Sequence, residues 1–288
     1  MYSVMGVTGQ VGGSVVRNLL AGGKHVRAIV RDAIKAAEWK EKGCELAFAK
    51  STDADALAKA FQGAEGAFVM LPPIFDPQEG FPEVYQNIEA LYQALLTAQP
   101  KRAVVLSTIG AHVTRPNLLR PLHDMEQKLG ALPMPTTFLR AGWFMENFSW
   151  DVTPAKETGV VPSFLHPLDK RFPMIATEDI GRIAAKSLIE GWDGHQVVEL
   201  EGPKRISPNE VAATFSRLLG REIRMQVVPR NSWGSTFKAF GMKNPTPRMQ
   251  MLDGFNDGWI DFEHGETNSI KGRVSLDQVL SSLLQKNQ

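Results

Sequence analysis

The sequence predicts an α/β fold, a doubly wound parallel sheet followed by a smaller α+β region. Three observations carry that prediction. Through the first 140 residues, short apolar and β-branched runs alternate with longer helix-like runs, the pattern of right-handed βαβ units. A glycine-rich turn joins the first apolar run to the first helix-like run. After about residue 150 the texture changes: Pro154, Pro162, Pro167 and Pro173 interrupt the chain and strands become fewer.

Taken in order, strands are expected over residues 2–7, 25–30, 45–49, 66–71, 103–107 and 136–140, because these runs combine apolar and β-branched residues with flanking turn signals. Helices are expected between them, near 12–21, 34–42, 53–62, 80–98 and 120–130. Gly22-Gly23, Gly43, Gly63 and Gly130 stand where helices end and a left-handed cap is wanted. Residues 1–150 then form one domain. Residues 151–288 form a smaller region packed on it, with some segments returning to the main sheet, since no Gly/Ser-rich or charged spacer separates the two.

Lys plus Arg (32) and Asp plus Glu (31) nearly cancel in the 288 residues, so net charge does not point to a nucleic-acid or anionic-membrane surface. No apolar run approaches the roughly 18 residues of a membrane span, and Met1 leads straight into a strand-like segment; the expected location is cytoplasmic. The single cysteine, Cys44, fits a reducing compartment and reads as a small buried apolar residue. The six histidines lack metal-ligand spacing, so no metal site is expected.

The chemistry-bearing motif is Gly6-Val7-Thr8-Gly9-Gln10-Val11-Gly12-Gly13, in the order strand, turn, helix. Glycine is needed because so tight a turn visits positive φ and because a side chain would hold the backbone away from a pyrophosphate. The helix start offers unpaired N–H groups to phosphate. In this context the motif predicts a Rossmann-type nicotinamide dinucleotide site contacted by Gly6, Thr8, Gly9, Gln10, Val11 and Gly12, with Leu71, Pro72 and Ser107 at later strand ends. Arg31 closes the second strand, where NAD-specific sites usually carry a carboxylate. A guanidinium there can pair with the 2′-phosphate of NADP(H), and Lys35 one turn along is a second candidate ligand. The adjacent Asp32 keeps NAD(H) open as the alternative, and a solvated strand-end arginine is the bland reading of Arg31.

Together with the segment Leu139-Arg140-Ala141-Gly142-Trp143-Phe144-Met145-Glu146-Asn147, the stretch Ile175-Ala176-Thr177-Glu178-Asp179-Ile180-Gly181, and Leu200-Glu201-Gly202-Pro203 leading to Ser207-Pro208-Asn209-Glu210-Val211, these motifs resemble the NmrA-like family of atypical short-chain dehydrogenases/reductases, and within it the quinone-reductase and azoreductase-like branch. The resemblance implies the cofactor more firmly than the reaction, because the family mixes NADPH-dependent reductases with redox-sensing proteins. Glu146 and Asn147 follow the same turn as Trp143 and Phe144 and read as structural, tying the loop to the sheet.

The Tyr-x-x-x-Lys pair of ordinary short-chain dehydrogenases is absent: four residues beyond Tyr2, Tyr85 and Tyr92 stand Gly6, Glu89 and Leu96. Related branches carry a lysine where Leu122 stands here, which leaves His123 as the one candidate proton donor, with a surface histidine beside Asp124 as its plainer reading. A conjugated acceptor such as a quinone needs less help, since hydride delivery gives a delocalised anion and positioning can suffice. The expected pocket is lined by Leu71-Pro72-Pro73, Ser107-Thr108 and Trp143-Phe144, the last two forming a wall for a flat substrate. Two functions follow: an NADPH-dependent oxidoreductase acting on a small planar electrophile, or a non-catalytic NADP(H) sensor acting through a protein partner. Monomer and homodimer both remain open.

Overall fold

The computed structural model describes residues 1–286, except for the side chains of residues 33–35. Its first half runs β1 (Tyr2–Val4), α1 (Gln10–Ala21), β2 (Val26–Val30), α2 (Ala33–Glu41), β3 (Glu45–Phe48), α3 (Ala54–Phe61), β4 (Gly66–Val69), α4 (Pro82–Ala98), β5 (Ala103–Thr108), α5 (Arg120–Leu129) and β6 (Thr136–Ala141). Each expected strand and helix of this half is present, with ends displaced by up to a few residues. Strand β1 stops at Val4 because the chain turns at Gly6, whose φ is +67°. Strand β4 stops at Val69, ahead of the consecutive Pro72 and Pro73, which cannot donate to a ladder.

The second half contributes β7 (Trp143–Phe144), a 3-10 helix over Met145–Asp151, α6 (Val152–Glu157), β8 (Val160–Ser163), β9 (Met174–Ile175), α7 (Thr177–Glu190), β10 (His195–Glu201), α8 (Pro208–Leu219), β11 (Arg224–Val227), α9 (Trp233–Ala239), α10 (Thr246–Asp257), β12 (Ile270–Lys271) and α11 (Leu276–Lys286). Helix α8 opens with a capping box, Ser207 Oγ accepting from Glu210 N and Glu210 Oε2 accepting from Ser207 N.

The main sheet has eight strands in the order β12-β10-β6-β5-β4-β1-β2-β3, every pairing parallel. Chain order reverses between β1 and β4, and such a switch point leaves a crevice at the carboxyl ends of the strands. Both faces are covered, as a parallel sheet requires. Alternate strand residues face opposite ways: Val104, Leu106 and Phe68 pack with Val15, Leu19, Trp39 and Ile183 on the side of α1, α2 and α7, while Val105, Ala67 and Val69 pack with Leu57, Leu91 and Met125 on the side of α3, α4 and α5. Helices α1 and α7 meet closely because a Cβ at Gly181 would fall 2.3 Å from the Ser14 Cβ. A third core, built around Phe148, Phe172, Phe215, Trp233, Phe237 and Phe255, lies in the second half, which also returns β10 and β12 to the sheet.

Of the glycines expected as left-handed caps, Gly23, Gly43 and Gly63 have positive φ. Gly130 does not: it is right-handed, φ −67°. A Cβ there would lie 2.9 Å from Glu126 O, so a side chain would require a local shift of the helix end. Cys44 is buried, and burial pushes its thiol pKa up, as expected of an inert thiol.

Candidate functional site

The glycine loop lies at the switch point. Gly6 turns the chain out of β1, and a Cβ on it would meet Met70 Sδ at 2.5 Å. Gly9, extended with φ −96°, precedes α1 without a side-chain cap, and no acidic residue stands in the first turn. The leading amides of α1 are thus left for an external acceptor. Gly12 presses on the turn: its Cβ would lie 2.3 Å from Gly6 O and 2.5 Å from Met5 O. Thr8, Gly9 and Gln10 are exposed, whereas Val11 is buried in the core.

Because β1 and β2 are parallel and in register from Tyr2↔Val26, Arg31 emerges at the same sheet edge as the glycine loop. It is exposed, and among the described residues its side chain makes no hydrogen bond or ion pair. Asp32 is exposed too, though engaged within the chain. The side chain of Lys35 lies outside the described residues.

Three loops follow β4, β5 and β6 at this edge. Leu71 and Pro72 are half-buried and Pro73 is exposed. The continuation is pinned by Asp76, whose carboxylate accepts from Lys243 N and Asn244 N at 2.8 and 2.7 Å; these two amides hold its pKa below the usual value. Thr108 is half-buried at the end of β5. Ser107 points inward and donates to Glu126 Oε1. The β5–α5 loop meets α10 through Leu118 N donating to Pro247 O at 2.9 Å. His123 is half-buried, with Nδ1 2.7 Å from Ala111 O. A carbonyl only accepts, so Nδ1 carries the proton. Leu122 packs into the core beneath α5.

Trp143 and Phe144 form a short strand paired with β9, and this changes the expected common wall. Consecutive strand residues face opposite ways. Trp143 packs edge-to-face on Phe255, centroids 5.3 Å apart, leaving its buried indole N–H without an acceptor, while Phe144 joins the core on the α1 side. Glu146 ties this segment to α7, accepting from Thr177 N at 2.9 Å and from Thr177 Oγ1 at 2.7 Å. Burial nevertheless pushes the Glu146 pKa up. Thr177 Oγ1 is also 3.2 Å from Gln10 Oε1, so a polar chain links the glycine loop to the segment after β6.

Sequence reasoning missed a buried charge cluster near the carboxyl end of β6. Arg140 binds Glu126 in forked fashion (3.1, 3.2 and 2.7 Å) and donates to Glu263 Oε2 at 2.5 Å, with Glu199 3.9 Å away. Burial pulls the Arg140 pKa down, but the Glu126 and Glu263 carboxylates outweigh it and hold the guanidinium above its usual value. The available signal was one arginine in an otherwise uncharged strand whose residues are all buried. A shallow groove of about 540 Å³ along β3 and α3 includes none of the predicted site residues in its lining.

The order of the sheet and the glycine turn at its reversal define a Rossmann-like α/β protein. The chain belongs to the NmrA-like family, whose model matches residues 2–257. It is 30% identical over 244 residues, 84% of this chain and 82% of the relative, to an NAD(P)H azoreductase of Xenophilus azovorans. It is 25% identical over 286 residues, 99% of this chain and 93% of the relative, to quinone oxidoreductase 2 of Escherichia coli. Among solved structures, an NADPH-dependent quinone oxidoreductase of Escherichia coli complexed with NADPH superimposes with a TM-score of 0.83 at 23% identity, covering 98% of this chain and 99% of that one.

Proposed function

We propose that this protein is an NADPH-dependent oxidoreductase that delivers hydride to a small planar electrophile, a quinone or an azo compound. The observation that carries the reading is the glycine loop, tight enough at Gly6 and Gly12 to refuse a Cβ and opening onto the uncapped start of α1, with exposed Arg31 at the end of the neighbouring strand. The relatives named above, an azoreductase and a quinone oxidoreductase, support the same chemistry.

In this reading NADPH supplies the hydride, and the chain supplies grip, orientation and dryness. Backbone amides of Gln10, Val11 and Gly12 hold the diphosphate, with Thr8 and Gly9 lining the approach, while Arg31 pairs with the 2′-phosphate, Lys35 being the second candidate. Leu71 and Pro72 flank the cofactor at the end of β4. The Ser107 hydroxyl is committed to Glu126, so that residue contributes by positioning the end of β5. Pro73, Thr108 and Trp143 bound the acceptor space, whereas Phe144, on the opposite face of its strand, supports it from the core on the α1 side. His123 has Nδ1–H engaged by Ala111 O, so only Nε2 is left for a proton; for an acceptor whose reduced form is delocalised, solvent can supply it.

The test is consumption of NADPH by the purified protein with 1,4-naphthoquinone, 1,4-benzoquinone and an azo-dye panel. Absence of turnover above background across that panel removes the proposal. A second reading, a dinucleotide sensor acting through a protein partner, draws on the Gln10–Thr177–Glu146 chain, which ties the phosphate loop to the segment after β6. That reading requires NADPH and NADP+ to differ in their effect on an assembly, and equal effects would dismiss it.

A further inference from the structure

We propose that Arg248 determines acceptor specificity by receiving an anionic substituent, a sulfonate or carboxylate, of a planar aromatic acceptor packed against Trp150 and Phe75; this inference rests on the acceptor reading above. Arg248 lies in the first turn of α10 and is half-buried. Its guanidinium carbon is 5.2 Å from the Trp150 ring centre and 5.0 Å from that of Phe237. Among the described residues, no carboxylate and no hydrogen-bond acceptor engages it. Burial alone pushes its pKa down.

Other half-buried or buried arginines have a carboxylate or a carbonyl to meet their N–H groups: Arg102 donates to Leu188 O at 3.2 Å, and two more are paired with acid. Arg140 has Glu126 and Glu263, and Arg205 has Glu201 and Asp261. A guanidinium partly withdrawn from water without a counterion is destabilising. Ring faces offset some of that cost, but they leave the in-plane N–H groups unmet, and those groups match the oxygens of a planar or tetrahedral acid group.

The neighbouring surface supplies the other half of a ligand. Trp150 is 64% exposed and Phe75 53%, and the two rings stand edge to face at 6.4 Å. Phe75 lies just beyond Pro73 in the loop after β4, and Trp150 lies in the last turn of the 3-10 helix that follows Trp143 and Phe144. Both therefore belong to loops that rim the carboxyl edge of the sheet. A neutral aromatic would cover the rings and strand the guanidinium, and a small inorganic anion would do the reverse. An aromatic acid satisfies both.

The test uses a matched pair of redox-inactive probes, 2-naphthalenesulfonate and the neutral 2-naphthalenesulfonamide, titrated calorimetrically at pH 7 into the protein saturated with NADP+. The parent protein should bind the sulfonate at least about tenfold more tightly, as a charge-assisted contact implies. Arg248→Ala should erase that preference and Arg248→Lys should retain part of it. Should Arg248→Ala not fold, Arg248→Gln, which keeps the aliphatic packing, gives the same readout. A parent protein that binds both probes equally or neither, or a folded Arg248 variant that keeps the full preference, overturns the proposal. NADPH oxidation with 1,4-naphthoquinone, measured in parallel, separates the two ideas: no turnover with an intact sulfonate preference strikes the oxidoreductase reading alone.

Discussion

Gly9 and Gly12 share one loop, yet their replacement by alanine should leave different signatures. At Gly12 the new Cβ would lie 2.3 Å from Gly6 O, 2.4 Å from Gly6 C and 2.5 Å from Met5 O, more than about 1 Å inside favourable contact. All three obstacles are backbone, so no rotamer change relieves them and α1 must move away from β1. Overpacking costs about 1–3 kcal/mol, and better helix propensity returns about 1 kcal/mol. With backbone on every side the upper end applies, a net loss of about 2 kcal/mol, which lowers Tm by about 3–4 °C in a chain of this size. At Gly9 the nearest obstacle is Gly6 O at 3.3 Å, and φ −96° suits alanine. A poorer N-cap and a less free unfolded chain are each worth less than about 1 kcal/mol and oppose each other, so Tm should move by less than about 2 °C. The Gly9 methyl would nonetheless intrude where the diphosphate is proposed to lie, weakening NADPH binding by at least about tenfold. Thermal melts and calorimetric titration with NADPH on both variants decide the matter. Parent-like melting of Gly12→Ala, or parent-like NADPH affinity of Gly9→Ala, refutes the reasoning.

Three other changes are expected to behave as follows. Arg31→Glu should weaken NADP(H) binding by at least about 1.5 kcal/mol through loss of a charge-assisted contact and new repulsion; an unchanged affinity would reject the assignment of Arg31. Arg140→Met leaves Glu126 buried without its partner and should cost about 3–5 kcal/mol in urea unfolding, so a loss under about 1 kcal/mol would show the cluster to be dispensable. Asp151 is a carboxyl that burial pushes from 3.8 to about 7. The folded protein holds this proton more tightly than the unfolded chain does, so the group's contribution to stability is full below pH 3.8, declines as pH rises toward 7 and is flat above. At pH 8 the penalty approaches about 4 kcal/mol. Asp151→Asn should therefore raise Tm more at pH 8 than at pH 5, and an equal change at both would contradict this origin.

The legible parts of the molecule are those written locally. Strands β1 to β6 carry apolar or β-branched runs between turn signals, and Gly6 or Gly12 can be read because backbone geometry and close approach constrain single residues. Strand β10 was obscured because four of its seven residues are not buried, which mixes polar with apolar positions. The strand at Trp143 and Phe144 could not be read because its partner, β9, lies far along the chain and is itself only Met174–Ile175. The Arg140 cluster draws on Glu126, Glu199 and Glu263, and no sequence spacing announces that these carboxylates converge on one guanidinium.

That division bears on how acceptor choice is encoded. The proposed dinucleotide half of the site is assembled from one βαβ unit, so it is set by nearest neighbours in sequence. The proposed acceptor half is bounded by loops that short local patterns leave free, and α10 and the turn before it bridge them: Asn244 N meets Asp76, Pro247 O meets Leu118 N, Arg248 covers Trp150 and Phe255 meets Trp143. A substitution in α10 can therefore reshape contacts with all three loops while leaving the glycine turn and β2 untouched. If the proposed acceptor site holds, substitutions within residues 243–255 should change acceptor preference while NADPH affinity stays at the parent value, and a matching loss of NADPH affinity would contradict that division.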